Sequence, residues 1–410
     1  MKRVFVLLGT VCLIFSLVSP LSAGGIDNKQ NFSAEYLRTF SRNAATDAAD
    51  VTAYNPAGVM KMEDGIYADL AIFYALKDYS NTIGGVEYES DAPSLVPGLF
   101  ALYKTNKWAA FAAFTIPAGG GTVEYDKGNA TTFALASSII AGSGGFFDTI
   151  DSMKLEADSF YYGYTLGGAY KVNDMLSVSL GARYIDATKE AKGSATVSGL
   201  APAATYAIDY EETAGGWGGF VGLNISPPGP VNIGIRYETA TKLVFKADVK
   251  QMDVPLIAQG EKLRRDLPGL IGIGVGYDVT PQAKVEVSYT YYFEKGATWE
   301  DRASTARDES KGGNSFDLGI ALTYGFTPKL KGSVGYMFTD TGINPDEMLP
   351  EAPELDANTV CGGILYEVIP GLNLNFAVQH TFYEKETTSA GIEYHKDITG
   401  FGFGIQYKFK

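Results

Sequence analysis

Several segments of the chain alternate between apolar residues and polar or small residues. In residues 315–326, every even position is aromatic or aliphatic, and every odd position is serine, aspartate, glycine, alanine or threonine. Residues 284–293 and 372–379 follow the same pattern. A period of two predicts β-strands with one apolar face, and these runs are long enough to cross a bilayer when tilted.

The composition of the second face favours a membrane barrel over a soluble one. A soluble barrel or sandwich turns its apolar face inward and exposes the other face to water. Here that other face is poor in lysine and glutamate and carries many glycines, among them Gly272, Gly274, Gly276, Gly402 and Gly404. The apolar rows also end in aromatic residues, as the girdles of membrane barrels do.

The positions of turn-forming residues indicate the number of strands. Short connectors are predicted at residues 104–107, 172–175, 227–230, 280–283, 327–329 and 369–372, and they alternate with long connectors. Counting around them gives about fourteen strands between Gly65 and Phe409, an even number as expected for bacterial single-chain barrels. The predicted fold is an all-β membrane protein, a 14-stranded antiparallel transmembrane β-barrel formed with its outer loops by residues 65–410.

The first residues predict export to the bacterial outer membrane. Lys2 and Arg3 precede an apolar run, residues 4–18, that is followed by small residues around Ala23. This is the pattern of a secretory signal peptide, residues 1–23. A membrane anchor is the weaker alternative, because the run is shorter than the roughly 20 residues of a spanning helix. Cleavage would leave Cys361 as the only cysteine, so no intrachain disulfide is expected.

The composition limits the class of binding partner but does not distinguish between a soluble and a membrane fold. The formal charge of −14 argues against nucleic acid as a partner. The 46% of hydrophobic residues, with 48 glycines and 26 tyrosines, suits a soluble sandwich and a membrane barrel equally well. After the signal no apolar run approaches the roughly 18 residues of a spanning helix, so a membrane crossing would need strands.

The segment before the barrel, residues 24–64, does not alternate, and its composition fits either a periplasmic tail or a plug inside the lumen. Its residues 50–58, DVTAYNPAG, resemble a motif at the end of the plug of the FadL/TodX-type outer-membrane transporters of long-chain fatty acids and other hydrophobic compounds. Residues 117–122 and 267–269 are also similar to that family. The resemblance implies that residues 24–64 form a plug, ending at Asn55, Pro56, Ala57 and Gly58.

Residues 117–122 follow the third predicted strand and contain Pro117, Gly119 and Gly121. Their simplest interpretation is a turn or loop. In the family, the equivalent stretch is a kink that leaves a gap in the wall through which a hydrophobic molecule exits into the bilayer. Such a gap in strand pairing has a physical reason, because proline has no N–H to donate and glycines lose strand pairing easily.

Two predicted outer loops, residues 133–155 and 249–263, are unusually apolar. They either form a capture groove for cargo or pack on each other. Positions 133, 136, 139 and 140 have helical spacing, and the family has helices that shape a groove here. The candidate ligand-binding residues are Phe133, Ile139, Ile140, Phe146, Met252, Leu256 and Ile257.

The strand phase also places Lys171, Arg183 and Arg236 in the lumen, where a cation can meet a carboxylate head group. The alternative is pairing with Asp69, Glu238 or Asp317. An acidic stretch, residues 346–356, would hold a divalent ion beside lipopolysaccharide or, as we favour, form a solvated loop.

Catalysis and metal binding are not expected. Both histidines, His380 and His395, fall in the lipid-facing phase, and Cys361 has no metal-ligand spacing. The expected function is passive, ligand-gated uptake of hydrophobic small molecules without a cofactor, by a monomer among outer-membrane lipids and lipopolysaccharide. The alternatives are an aqueous porin, which should lack a plug, and an adhesin or structural barrel.

Overall fold

The computed structural model describes residues 32–300 and 313–409. The predicted signal peptide and the first residues of the predicted plug lie outside this part. The described residues form fourteen antiparallel barrel strands, three of which are interrupted. They are β1 (Gly65–Ile83), β2 (Val86–Ser90 and Ser94–Lys104), β3 (Trp108–Tyr125), β4 (Phe147–Lys171), β5 (Leu176–Gly199), β6 (Ala204–Ile225), β7 (Val231–Glu238 and Val244–Met252), β8 (Lys262–Arg264 and Leu270–Asp278), β9 (Ala283–Tyr292), β10 (Ser315–Thr327), β11 (Leu330–Asp340), β12 (Ala357–Ile369), β13 (Leu372–Tyr383) and β14 (Glu393–Phe409).

The first and last strands close the sheet into a barrel. β1 pairs with β14 from Ile66 opposite Phe409 to Thr82 opposite Glu393, and it pairs with β2 on its other edge. The remaining strands pair with their neighbours in chain order. The predicted strand number and closing strand are therefore confirmed.

The connections differ between the two ends of the barrel. At one end, called the short-turn end, the strands meet in the short connectors that the sequence predicts. At the opposite, long-loop end, two connections are also short, between Ile83 and Val86 and between Gly199 and Ala204. Residues 133–155 are not one loop, because β4 begins at Phe147 and continues for 25 residues.

Side chains alternate between the two faces of the wall, as the pleat of a strand requires. Leu374 and Phe376 point outward and are 41% and 39% exposed, whereas Asn375 between them is 4% exposed. His380 and His395 fall in the outward phase, as expected. Among the described residues, no helix is long and apolar enough to cross a membrane.

Residues 32–62, called the inner segment, lie inside the barrel. The segment contains two short helices, α1 (Ala34–Leu37) and α2 (Val51–Tyr54), and a 3₁₀ helix (Pro56–Lys61). The Ser33 side chain caps α1 by accepting a hydrogen bond from the Tyr36 N–H at 2.9 Å. Almost every residue of the segment is buried. Its apolar side chains pack against inward-facing wall residues and supply much of the barrel core.

The inward-facing glycines have a packing role. A Cβ atom at Gly234, Gly274, Gly319 or Gly335 would clash with backbone atoms of residues 39–44 in the inner segment. These glycines belong to β7, β8, β10 and β11. Their missing side chains let the inner segment lie directly on the wall, which explains the glycine-rich second face seen in the sequence.

Candidate functional site

The wall is interrupted where the sequence predicts a kink. β2 and β3 pair only from Leu99 opposite Phe114 to Lys104 opposite Ala109. Beyond Phe114 the alternation of β3 is lost, and residues 115–118 are all buried. The register with β4 also shifts twice between Thr115 and Gly121. The ladder between β2 and β3 thus ends just before Pro117, which cannot donate a backbone hydrogen bond.

Two glycines make this path possible. Gly119 and Gly121 have positive φ angles of 105° and 71°. A Cβ atom at Gly119 would clash with the carbonyl oxygen of Ser159, and one at Gly121 would clash with Ser94 Oγ. Side chains at these positions would therefore push β3 away from its neighbours rather than restore pairing.

Side chains replace the ladder on the far side of the interruption. Lys77 Nζ donates to the carbonyl oxygen of Gly120 at 3.2 Å and to that of Thr122. Ser94 Oγ accepts from the Thr122 N–H at 3.3 Å, and Ser90 Oγ accepts from the Glu124 N–H at 2.9 Å. The edge of β3 is thus held by a few polar side chains.

A cavity called the wall cavity lies beside the interruption. It encloses about 730 Å³ between its lining atoms, part of it open to solvent. Its lining includes Phe32 from the inner segment, Phe73 and Lys77 from β1, Val96 from β2 and Ile116 from β3. Lys396 also lines it, with Nζ 4.3 Å from the centroid of the Tyr383 ring. The wall cavity is therefore aromatic and aliphatic with a few cationic groups.

A larger apolar space, called the outer cavity, lies inside the long-loop end. It encloses about 1080 Å³ between its lining atoms, part of it open to solvent. Its apolar lining comes from Leu135, Leu155, Ile208, Met252, Leu256, Ile257 and Leu349. Gly120, Gly121 and Ala352 border both cavities. The kinked part of β3 therefore stands between the outer cavity and the wall cavity.

The predicted helix in the first apolar loop exists, and three of its candidate residues do not line the outer cavity. The helix, α3 (Ala130–Gly142), begins with a capping box in which the Thr132 N–H donates to Asn129 Oδ1 at 3.2 Å and the Asn129 N–H donates to Thr132 Oγ1 at 2.8 Å. Phe133, Ile139 and Ile140 pack on the strand extensions beside Met153 and Val197 rather than lining the outer cavity.

The other apolar residues of these two loops lie in different places. Leu135, which was not a candidate from the sequence, lines the outer cavity from the other side of α3. Phe146 is 62% exposed in the connection after the helix. Met252, Leu256 and Ile257 line the outer cavity, and their contact with cargo stays a prediction.

The acidic stretch is not simply a solvated loop. Leu349 and Leu355 are buried, and Leu349, Glu351 and Ala352 line the outer cavity. The Pro350 carbonyl oxygen accepts from Asn81 Nδ2 at 2.9 Å and from the Tyr125 hydroxyl at 3.3 Å. Burial raises the pKa of Glu351. The loop folds into the barrel mouth because its apolar residues, spaced between the acids, find partners there.

The three predicted lumen cations do not line either cavity. Lys171 lies at the short-turn end, where its Nζ is 2.7 Å from Asp174 Oδ1, so its expected place in the bore is wrong. Arg183 Nη2 and Arg236 Nε lie 2.7 and 3.3 Å from the Glu238 carboxylate, which is the alternative partner that the sequence offered.

The sequence reasoning missed Lys189 of the outer cavity, as it missed Lys77 and Lys396 of the wall cavity. Lys189 lines the outer cavity, with Nζ 4.7 Å from the centroid of the Phe245 ring and 5.6 Å from that of Tyr161. It shares the inward phase of Arg183 on β5. The strand phase alone would have found it.

The Asn55-Pro56-Ala57-Gly58 motif ties the inner segment to the wall. Asn55 Nδ2 donates to the Ala45 carbonyl at 3.1 Å and to Asn224 Oδ1 on β6 at 2.7 Å. Ser177 on β5 donates to the Ala57 carbonyl at 2.7 Å. Pro56 begins the 3₁₀ helix, and a Cβ at Gly58 would clash with Asn55 Nδ2. Each residue of the motif therefore has a structural role.

Solved structures share this fold. A FadL homologue from Pseudomonas aeruginosa matches with a TM-score of 0.71 at 15% identity, covering 95% of this chain and 100% of that chain. The toluene transporter TodX of P. putida matches at 0.67 and 14%, covering 89% and 96%. The toluene transporter TbuX of Ralstonia pickettii matches at 0.63 and 14%, covering 91% and 99%.

At these identities the likeness establishes the fold, so the chain has the barrel fold of FadL-like and TodX-like proteins, as its sequence motifs suggested. No protein-family model matches the chain, and no curated protein matches it in sequence.

Proposed function

We propose that this protein is an outer-membrane channel for the passive uptake of hydrophobic small molecules. The observation that carries the proposal is the apolar outer cavity, which borders the wall cavity at the interruption between β2 and β3. The named neighbours include toluene transporters and a FadL homologue, which supports a hydrophobic cargo. The protein works as a monomer, with its apolar outer face against membrane lipid and its long loops beside lipopolysaccharide.

The cargo enters at the outer cavity, passes the kinked part of β3 and leaves sideways through the wall cavity. Passage straight down the lumen is opposed by the inner segment, whose residues are almost all buried against the wall. Lateral exit also avoids water, because each methylene returned to water costs about 0.8 kcal/mol. Gating then requires movement of Phe32 or of β3, since both line the exit.

A cationic side chain in the outer cavity favours an amphipathic carboxylate, such as a long-chain fatty acid, over a neutral hydrocarbon. That cation is Lys189, in a lining that also includes Asp158, Glu190, Glu212 and Glu351. Lys77 and Lys396 in the wall cavity already donate to backbone carbonyl oxygens. A charge-assisted hydrogen bond from an ammonium to a carboxylate is stronger than a neutral one, and it is strengthened further in a poorly hydrated cavity.

Binding by the purified protein tests the cargo class. Lys189→Met keeps most of the side-chain length and removes the charge, so it should weaken binding of a fluorescent long-chain fatty acid and leave binding of the matching fatty alcohol nearly unchanged. Lys171→Met is the matched control, because Lys171 pairs with Asp174 at the short-turn end. Equal binding of the fatty acid by Lys189→Met and wild type would contradict the carboxylate assignment.

A bulky side chain in the wall cavity tests the exit. Val96→Phe adds a ring inside that cavity, whereas Leu95→Phe changes its outward-facing neighbour on β2. Val96→Phe should slow uptake into cells while fatty-acid binding at the outer cavity persists, and Leu95→Phe should change neither. Wild-type uptake by Val96→Phe, with the ring placed in the wall cavity by a crystal structure, would rule out this exit.

A further inference from the structure

Three buried carboxyl groups meet where the inner segment contacts the wall. Glu35 lies on α1, Asp50 directly precedes α2, and Asp69 lies on β1. All three residues are 0% exposed. One carboxylate oxygen from each lies within 4.8 Å of one from each of the others. These residues are called the carboxylate cluster below.

The hydrogen bonds of the carboxylate cluster are unequally shared. Asp50 accepts from Arg42 Nη2 at 2.5 Å, from Arg42 Nε at 3.1 Å and from Ser33 Oγ at 2.6 Å. Glu35 Oε1 accepts from Asn375 Nδ2 at 2.7 Å. By contrast, Glu35 Oε2 and both carboxylate oxygens of Asp69 are buried, and no donor among the described residues reaches them.

The charges of the carboxylate cluster are also unbalanced. Arg42 is shared between Asp50 and Asp47, whose Oδ1 lies 2.8 Å from Arg42 Nη1. Arg38, the other buried cation of this segment, donates to Ser333 on β11. Glu35 and Asp69 therefore have no ion pair within the described part of the chain. Burial, assisted by the nearby Asp50 charge, raises the pKa of Glu35, which reflects the cost of holding this carboxylate ionised without a partner.

We infer that the carboxylate cluster binds one divalent cation of the calcium class, which fastens the inner segment to β1. Hard cations prefer carboxylate oxygens, and a buried carboxyl group without donors must either be neutralised by a proton or be compensated by a bound cation. Ca²⁺ binds oxygens at about 2.3–2.6 Å, so ligand atoms on opposite sides of it lie up to about 5 Å apart. The three carboxylate oxygens, which lie within 4.8 Å of one another, could therefore coordinate one Ca²⁺ without moving closer together. Two uncompensated carboxylates also match its charge.

The position of the site gives the cation a regulatory role. Glu35 is three residues from Phe32, which lines the wall cavity. A cation that joins α1 to β1 would therefore hold Phe32 in place, and its loss would loosen the part of the inner segment beside the exit. This consequence rests on the proposed function, whereas cation binding itself does not.

Calorimetric titration with Ca²⁺ tests the site directly. The mature protein is purified in detergent, stripped of metal with a chelator and titrated with CaCl₂. Wild type should bind one Ca²⁺ per chain, and Asp69→Asn should lose the binding heat. Glu286→Gln is the matched control, because Glu286 is another inward carboxylate that contacts the inner segment, accepting from the Ala44 N–H at 3.1 Å. It should bind Ca²⁺ as wild type does.

Two results would overturn the inference: wild type that binds no Ca²⁺ at the carboxylate cluster, or Asp69→Asn that binds it with wild-type affinity. Glu35→Gln provides the same comparison if Asp69→Asn does not fold. The regulatory step has its own readout in Phe32→Cys combined with Cys361→Ser. A thiol reagent should label this cysteine faster after Ca²⁺ is removed, and a rate independent of Ca²⁺ would refute the fastening role. None of these measurements uses the cargo, so they fail or succeed separately from the proposed transport.

Discussion

Asn55→Ala should release the inner segment locally without unfolding the barrel. The asparagine is 1% exposed, and its amide joins the Ala45 carbonyl inside the segment to Asn224 of the wall. Alanine removes both hydrogen bonds. The barrel ladders do not involve this side chain, so the perturbation is confined to the contact between the inner segment and the wall.

The size of the effect follows from those two bonds. A buried hydrogen bond contributes about 1 kcal/mol net, and leaving an acceptor without a donor costs about 1–3 kcal/mol. Asn224 Oδ1 keeps a second donor, Asn232 Nδ2 at 3.0 Å, which limits the loss on that side. We expect a total of about 2 kcal/mol, which corresponds to a roughly thirtyfold larger population of the released segment.

Hydrogen exchange of the purified protein, followed by mass spectrometry of peptides from residues 32–62, measures this population. Exchange in these peptides should accelerate about thirtyfold, while peptides from β9 to β14 stay protected. Asn173→Ala is the matched control, because Asn173 caps an exposed short turn by accepting from the Met175 N–H at 2.9 Å. Equal protection of residues 32–62 in wild type and Asn55→Ala would refute the anchoring role of the motif.

Three further predictions follow from the geometry. A solvent-open cavity at the short-turn end is lined by Thr323, among other residues. In a Cys361→Ser background, a hydrophilic thiol reagent should therefore label Thr323→Cys but not the outward-facing Leu322→Cys. Asn375→Cys should also stay unlabelled, because the inner segment covers it, and strong labelling there would contradict that cover. Gly335→Val should expose the inner segment to protease, since its side chain would strike the Thr39 carbonyl oxygen, whereas the outward-facing Val334→Ala should not. Because burial raises the pKa of Glu351, the loop of residues 341–356 should be held most firmly at pH values below the pKa of an exposed glutamate and should loosen as the pH rises through the raised pKa. Proteolysis of this loop should therefore depend on pH in wild type and not in Glu351→Gln. Identical pH dependence in both proteins would contradict this prediction.

Local patterns predicted the wall well because each strand has one outward-facing apolar row. A period-two row such as residues 315–326 fixes both the strand and its orientation, since a slip of one residue would move every side chain to the other face. The interruption was also visible in advance, because Pro117 and the following glycines act on the backbone at their own positions. These features depend on neighbours in sequence.

Features that depend on distant partners were not predictable in the same way. The faces of α3 differ little in polarity, so its sequence did not say whether Phe133 or Leu135 faces the outer cavity. The phase of Lys171 gave its face but not its depth, and depth places it at the short-turn end. The inward fold of residues 341–356 depends on Asn81 and Tyr125 from other strands, which no local pattern reveals.

The most direct test of the proposed function is a paired uptake measurement in cells that lack the gene and in the same cells after it is restored. Radiolabelled long-chain fatty acid and a radiolabelled small sugar are added together, and the initial rate of each is measured. Restoring the gene should raise fatty-acid uptake and leave sugar uptake unchanged. A rise in sugar uptake would indicate an aqueous porin, and no change in either rate would indicate an adhesin or structural barrel; both results would contradict a hydrophobic cargo channel.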